Sequence, residues 1–201
     1  MPFSAGEAGG ASVSASTFSA GARQRESDTF SQMEIFPVRL PEEIPGALFL
    51  SSLPGRAGSL AADLEAIRAL KVDWIVNLAE RDECEQQSPD YLPAVGRGGH
   101  SWRWIHLPIP ANSIPADRSN LLHTVEELAD LLWQGRRILI HCSGGVGRSG
   151  SVAILVLLKL GLPLMDASIR VADAGSGLES PEQETLIEIM SQYWQQPPTL
   201  A

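Results

Sequence analysis

The chain has 201 residues, 44% hydrophobic and 19% charged, the composition of one folded soluble domain with additional sequence, which excludes a fibrous or wholly disordered protein. Twenty-four Asp and Glu against fifteen Lys and Arg leave a net charge of −9, the wrong sign for gripping a phosphate backbone, so nucleic acid is not an expected partner. No apolar run approaches the roughly eighteen residues of a membrane helix, so no membrane partner is expected either, and the two cysteines, Cys84 and Cys142, suit a reducing, cytoplasmic setting better than a disulfide framework or zinc site.

Residues 1–32 hold seven Ser, six Ala and four Gly with almost no large aliphatics. Such a segment buries too little apolar surface to offset its ordering entropy, and it is expected to be a flexible tail, with nonclassical export or targeting as the alternative role. From Met33 apolar runs alternate with amphipathic stretches, the pattern of an α/β domain, and residues 33–201 are assigned to one such domain. Ala47 to Ser51 and Trp74 to Leu78 read as buried strands around a helix with Leu60, Leu64, Ile67 and Leu70 on one face. Residues 80–85 read as a charged loop. Ser101 to Leu107 is a further strand, followed by a loop broken by Pro108, Pro110 and Pro115. Leu121, Val125, Leu128 and Leu132 define a helix from Asp117 to Gln134, stopped at Gly135. Arg137 to His141 is a short aliphatic strand, and Ser149 to Leu160 is apolar enough to be a helix buried on most sides.

Between those last two elements lies His141-Cys142-Ser143-Gly144-Gly145-Val146-Gly147-Arg148-Ser149. A short strand-to-helix loop with three glycines can turn successive backbone N–H groups inward into a nest for an oxyanion of phosphate size. The helix N-terminus adds partial positive charge, and Arg148 can fork onto two phosphate oxygens. The same field favours the thiolate of Cys142, which makes it a nucleophile for phosphoryl transfer through a cysteinyl-phosphate. Ser149 can donate to the departing sulfur, and His141 is expected to orient the loop through its ring nitrogens. A nucleotide-binding P-loop is excluded because no Lys follows Gly147.

The segment resembles the His-Cys, five residues, Arg-Ser signature of cysteine-dependent protein tyrosine and dual-specificity phosphatases. Leu107-Pro108-Ile109 followed by Pro115, and Gly175-Ser176-Gly177 followed by Gln183, resemble the kinase-associated phosphatase branch, with similarity from Val72 to Tyr193. The resemblance implies a central twisted, mostly parallel sheet flanked by helices. It implies Cys142 as nucleophile, Arg148 as phosphate clamp and transition-state stabiliser, and Ser149 assisting thiolate departure. Ser143, Gly144, Gly145, Val146 and Gly147 would bind phosphate with Arg148, and Gln183 would position the hydrolytic water. No cofactor or metal is implied; the substrate would be a phosphorylated protein and the protein a monomer.

One position departs from that pattern. The proline-isoleucine loop of such phosphatases supplies an aspartic acid that protonates the leaving hydroxyl, and here the place is taken by Ala111. Alanine has no proton to give, and loss of a general acid costs about 10²- to 10⁴-fold in rate. Three explanations stand: a substitution of the kind that lets an enzyme hold substrate without turning it over, a substitute acid at Asp117, or a noncatalytic phosphoprotein-binding module. Asp117 is equally suited to cap the following helix. Cys84, among acids, is expected to have a raised pKa and not to be the nucleophile. Arg81 and Glu83 read as a solvated charge run, with bracing of the site as the alternative. His100, His106 and His123 have no metal-ligand spacing, and Trp102 and Trp104 read as packing residues. The neutral loop residues favour protein phosphate over multiply phosphorylated inositol lipid, and the acidic charge disfavours RNA 5′-triphosphatase chemistry.

Overall fold

The computed structural model describes residues 33–98 and 100–195; the tail expected at 1–32 and the last six residues lie outside that range. Five strands, β1 (Ile35–Val38), β2 (Ala47–Ser51), β3 (Trp74–Asn77), β4 (Arg103–His106) and β5 (Arg137–His141), form one sheet in the order β1-β2-β5-β3-β4. The β2–β5, β5–β3 and β3–β4 pairings are parallel, and β1 joins antiparallel at the edge. The expected mostly parallel, helix-flanked α/β domain is therefore the fold, with one antiparallel edge strand for which the sequence carries no clear alternation.

Strand β5 lies in the middle with a neighbour on each side, and its Arg-Ile-Leu-Ile-His sequence suits burial on both faces. The strand period of two sends Ile138 and Ile140 into one core and Leu139 into the other. The larger core is built from α4 (Arg118–Trp133), α5 (Gly147–Lys159), α6 (Leu164–Asp173) and α7 (Pro181–Gln195). Its centre is α5, in which every residue from Gly147 to Leu158 is buried, as the apolar run from 149 to 160 predicts. The smaller core packs Leu64 and Ile67 of α1 (Leu60–Ala69) against Phe49, Ile75 and Leu139. The predicted helix stop at Gly135 is present, with φ +81° just beyond α4. Among the described residues no helix is long and apolar enough to cross a membrane.

Residues 80–85, expected as a loop, belong to a helix. α2 (Arg81–Gln87) starts from a reciprocal cap in which the Glu80 carboxylate accepts from the backbone of Glu83 and Glu83 Oε2 accepts from Glu80 N–H at 2.9 Å. It is followed by α3 (Tyr91–Gly96), and a third small core joins Cys84, Tyr91 and Val95 to Leu53 and Ala79. A seven-residue helix with a single buried apolar position has too little periodicity to stand out in sequence.

The β2–α1 connection is secured by the fully buried Asp63, whose carboxylate accepts from Met33 N–H at 3.0 Å and Gly55 N–H at 2.8 Å. An alanine would leave two backbone donors without their partner. Asp63→Ala is expected to lower unfolding stability by about 1–3 kcal/mol, read as a lower urea midpoint with an unchanged slope.

Candidate active site

The parallel strands β2, β5 and β3 end at one edge of the sheet, where open α/β sheets place their ligand sites. β5 delivers His141 and Cys142 to that edge, and the chain then turns through residues 143–146 into α5. The helix begins at Gly147, two residues earlier than the apolar run indicates, which puts Arg148 in its first turn.

Three carbonyls of this turn, those of Ser143, Gly145 and Val146, are engaged from outside it. Ser143 O accepts from Leu53 N–H at 3.1 Å and from Arg56 Nη1 at 3.3 Å, while Ser176 Oγ–H approaches Val146 O at 2.6 Å and Gly145 O at 3.2 Å. Ser143 Oγ–H donates to Gln87 Oε1 at 2.7 Å. With carbonyls held outside, amides are free to face the concave side, where Gly145 N–H donates to Cys142 Sγ at 3.1 Å. Gly145 has φ +82°, and a Cβ there would lie 2.8 Å from backbone atoms of Ser51 and Ser52. Both the conformation and the close approach demand glycine. Cys142 is 2% exposed, and Ser149 Oγ lies 3.5 Å from its sulfur.

Arg148 is held by an ion pair with Glu83. Glu83, on α2, accepts from Arg148 Nη1 at 2.6 Å and from Nη2 at 2.8 Å, and Ile109 O accepts a second Nη1 hydrogen at 2.8 Å. Residues 81–87 are thus not simply a solvated charge run: Glu83 braces the site because the α2 cap turns its side chain inward. Of the five guanidinium hydrogens, the two left over are Nε–H and one on Nη2, which share an edge of the plane and form a second fork. The Arg148 hydrogen bonds hold the Glu83 carboxyl below its ordinary value of 4.5, against the opposing effect of burial. Burial disfavours the charged guanidinium, and the Glu83 contacts outweigh it, so the Arg148 pKa is raised.

His141 is fully buried, and burial pushes its pKa down to about 3, so the ring is neutral at pH 7. Its Nδ1 lies 3.4 Å from Cys142 O, and Nε2 lies 2.5 Å from Tyr91 Oη. The consistent assignment has Nδ1–H facing the carbonyl and Nε2 accepting from the tyrosine. Trp104 Nε1–H donates to Tyr91 Oη at 3.4 Å. Tyr91, on α3, was not found from sequence; nothing in its local pattern links it to a residue 50 positions away.

The other candidates lie as follows. Gly144 and Val146 are exposed on the outer curve of the turn and Gly147 is buried at its end. Ala111 is exposed in a turn beside Asn112, which has φ +54°. Asp117 caps α4, its Oδ1 accepting from Asn120 N–H at 3.0 Å. Gln183 is fully buried rather than on a helix surface, with both ends of its amide engaged: Oε1 accepts from Glu179 N–H at 2.9 Å and Nε2 donates to Ser113 O at 3.1 Å. Cys84 is buried with its pKa raised, by burial first and by Glu83 to a lesser degree, and its sulfur faces Asn77 Nδ2 at 3.5 Å. Trp104 stacks on His106, and Trp102 is buried in the smaller core. No cluster of metal-ligating side chains occurs among the described residues.

The domain family described as "PTP-SAK: Swiss Army Knife protein, DSP-PTPase phosphatase domain" matches residues 44–184. Tyrosine-protein phosphatase non-receptor type 23 of Homo sapiens is 30% identical over 142 residues, 67% of this chain and 7% of that protein. Cyclin-dependent kinase inhibitor 3 of Rattus norvegicus is 47% identical over 55 residues, 27% of this chain and 26% of that protein. The chain thus spans only a minor part of the length of these curated relatives. A crystal structure of kinase-associated phosphatase with its catalytic-site cysteine replaced by serine superposes with a TM-score of 0.71 at 22% identity, covering 85% of this chain and 99% of that one.

The Glu83–Arg148 pair has a measurable consequence. Glu83→Gln is expected to cost about 1.5–3 kcal/mol of stability at pH 7, the usual worth of hydrogen bonds to charged groups. Because the carboxyl's folded pKa lies below 4.5, its contribution is full above the unfolded value and is lost as pH falls through the folded one. Urea unfolding curves of the two proteins should therefore converge in acid.

Proposed function

The chain belongs to the PTP-SAK family of DSP-PTPase phosphatase domains, and from that membership we propose that it hydrolyses phosphotyrosine in proteins, and also phosphoserine or phosphothreonine, through a cysteinyl-phosphate on Cys142. The observation that carries this reading is the pairing of a buried Cys142 sulfur, 3.1 Å from an inward amide, with an arginine whose remaining fork is unspent. Phosphate enters the bowl on the amides of residues 143–148 and on the Nε and Nη2 hydrogens of Arg148. Glu83 fixes the plane of the guanidinium beforehand, so its orientation costs nothing at the moment of reaction. The Cys142 thiolate attacks phosphorus as the phosphorus–oxygen bond to the substrate breaks. Water then attacks the cysteinyl-phosphate, and sulfur leaves as a thiolate with Ser149 Oγ, 3.5 Å away, as its hydrogen-bond donor. Neutral His141, fixed by Tyr91, carries no charge into the site and serves to position the Cys142 carbonyl.

The burial of Cys142, at 2% exposure, supports a preference for tyrosine, because an aryl phosphate extends further from its backbone than a phosphoserine. A second reading, capture of phosphoproteins without turnover, rests on the methyl group of Ala111 where a proton donor is expected.

Phosphate release from a phosphotyrosine peptide is expected to exceed that from the matched phosphothreonine peptide and to vanish in Cys142→Ser. Tight peptide binding with no release and no cysteinyl-phosphate would select the capture reading instead. Ala111→Asp is expected to raise turnover of the phosphotyrosine peptide by about 10-fold, part of the 10²- to 10⁴-fold usual for a dedicated general acid. Equal rates would remove position 111 from the mechanism.

A further inference from the structure

Beside the bowl, Gly147 N–H donates to Glu179 Oε2 at 2.9 Å. The contact exists because residue 147 has no side chain: a Cβ there would stand 2.0 Å from that oxygen. The segment carrying Glu179 is pinned at several points. Ser176 Oγ–H reaches the Val146 carbonyl, the Gly177 backbone lies so close to Gly150 that a Cβ on the latter would come within 2.1 Å of its oxygen, and Glu179 N–H is held by the fully buried Gln183. The other end of the Gln183 amide holds Ser113 O, in the loop that carries Ala111. Other carboxyls are committed elsewhere: Glu83 to both Nη atoms of Arg148, Glu80 to the start of α2 and Asp117 to the N-terminus of α4. Glu179 is exposed, with its carboxylate on an amide of the turn that would hold phosphate.

We propose that Glu179 is the proton-transfer residue of this site, supplying the function for which Ala111 has no chemical group. The proposal rests on the phosphatase reading above. An arriving phosphate takes the Gly147 amide and displaces the Glu179 side chain toward the phosphate's outward face. As the Cys142 sulfur–phosphorus bond forms and the phosphorus–oxygen bond to the substrate breaks, the Glu179 carboxylic acid gives its proton to the leaving oxygen and becomes a carboxylate. In the second step a water oxygen bonds to phosphorus, the phosphorus–sulfur bond breaks with its electron pair returning to sulfur, and the water's proton restores the Glu179 acid. Leaving group and water use the same face opposite the sulfur, so one carboxyl serves both. Gln183 is the positioning residue that ties Glu179 to the loop bearing Ala111.

The test is Glu179→Gln assayed on two aryl phosphates, phenyl phosphate, whose alcohol needs a proton to depart, and 2,4-dinitrophenyl phosphate, whose alcohol does not. Glutamine keeps an oxygen for the Gly147 amide, so the loop retains its contact. The expected result is a fall in kcat/KM of about 10- to 10²-fold for phenyl phosphate, part of the general-acid contribution that an Asp at 111 would complete, with the dinitrophenyl ester nearly unchanged. Rapid mixing with the dinitrophenyl ester should also show a burst of dinitrophenolate, because cleavage of the cysteinyl-phosphate is now slowed. Equal losses on both esters would reduce Glu179 to a structural contact, and a gain on both would make it a plug of the phosphate site; either overturns the proposal. Failure of the unsubstituted protein to turn over either ester, with Cys142→Ser behaving identically, would overturn the phosphatase reading itself.

Discussion

The site depends on where the carbonyls of Ser143, Gly145 and Val146 are held. Each peptide unit has its N–H and C=O pointing in opposite directions, so a turn whose carbonyls are captured from outside presents its amides to the inside. Leu53, Arg56 and Ser176 perform that capture here. These partners come from the β2–α1 connection and from the segment between α6 and α7, far apart in sequence. Burial of α5 and the centre of the sheet fixes the two ends of the turn, and these hydrogen bonds fix its interior.

Charge is arranged around the turn with the same economy. Arg148 is nearly buried, at 7% side-chain exposure, and a bare guanidinium there would be expensive to desolvate. Glu83 neutralises it using one edge and leaves another edge for a ligand. The pair holds the arginine in place while leaving its Nε hydrogen and one Nη2 hydrogen uncommitted to Glu83 or Ile109. Burial keeps His141 uncharged next to Cys142, so the positive charge around the turn comes from Arg148, Arg56 and the head of α5.

The loop bearing Ala111 and the segment bearing Glu179 are joined through Gln183. A buried amide with a carbonyl oxygen and an NH₂ group suits such a bridge, since one end accepts while the other donates. Glutamate at this position would lose the donor and bury a carboxyl. This coupling makes the placement of each loop depend on the other.

The cradle was legible in the sequence because its logic is local: strand, cysteine, glycine-rich turn and arginine are contiguous, and each residue type has a physical reason at its spacing. The strands β2, β3 and β5 and the helices α1, α4 and α5 were equally legible, since burial imposes a period on them. The tertiary structure decided what contiguity cannot carry. Glu83 meets Arg148 across 65 positions, Tyr91 meets His141 across 50, and Glu179 meets Gly147 across 32. A hydrogen-bond partner supplied by another element leaves no periodic trace, so the strand, turn and helix around Cys142 could be read from the chain, while the carboxyls and hydroxyls that contact them emerged only when the sheet brought its C-terminal edge together.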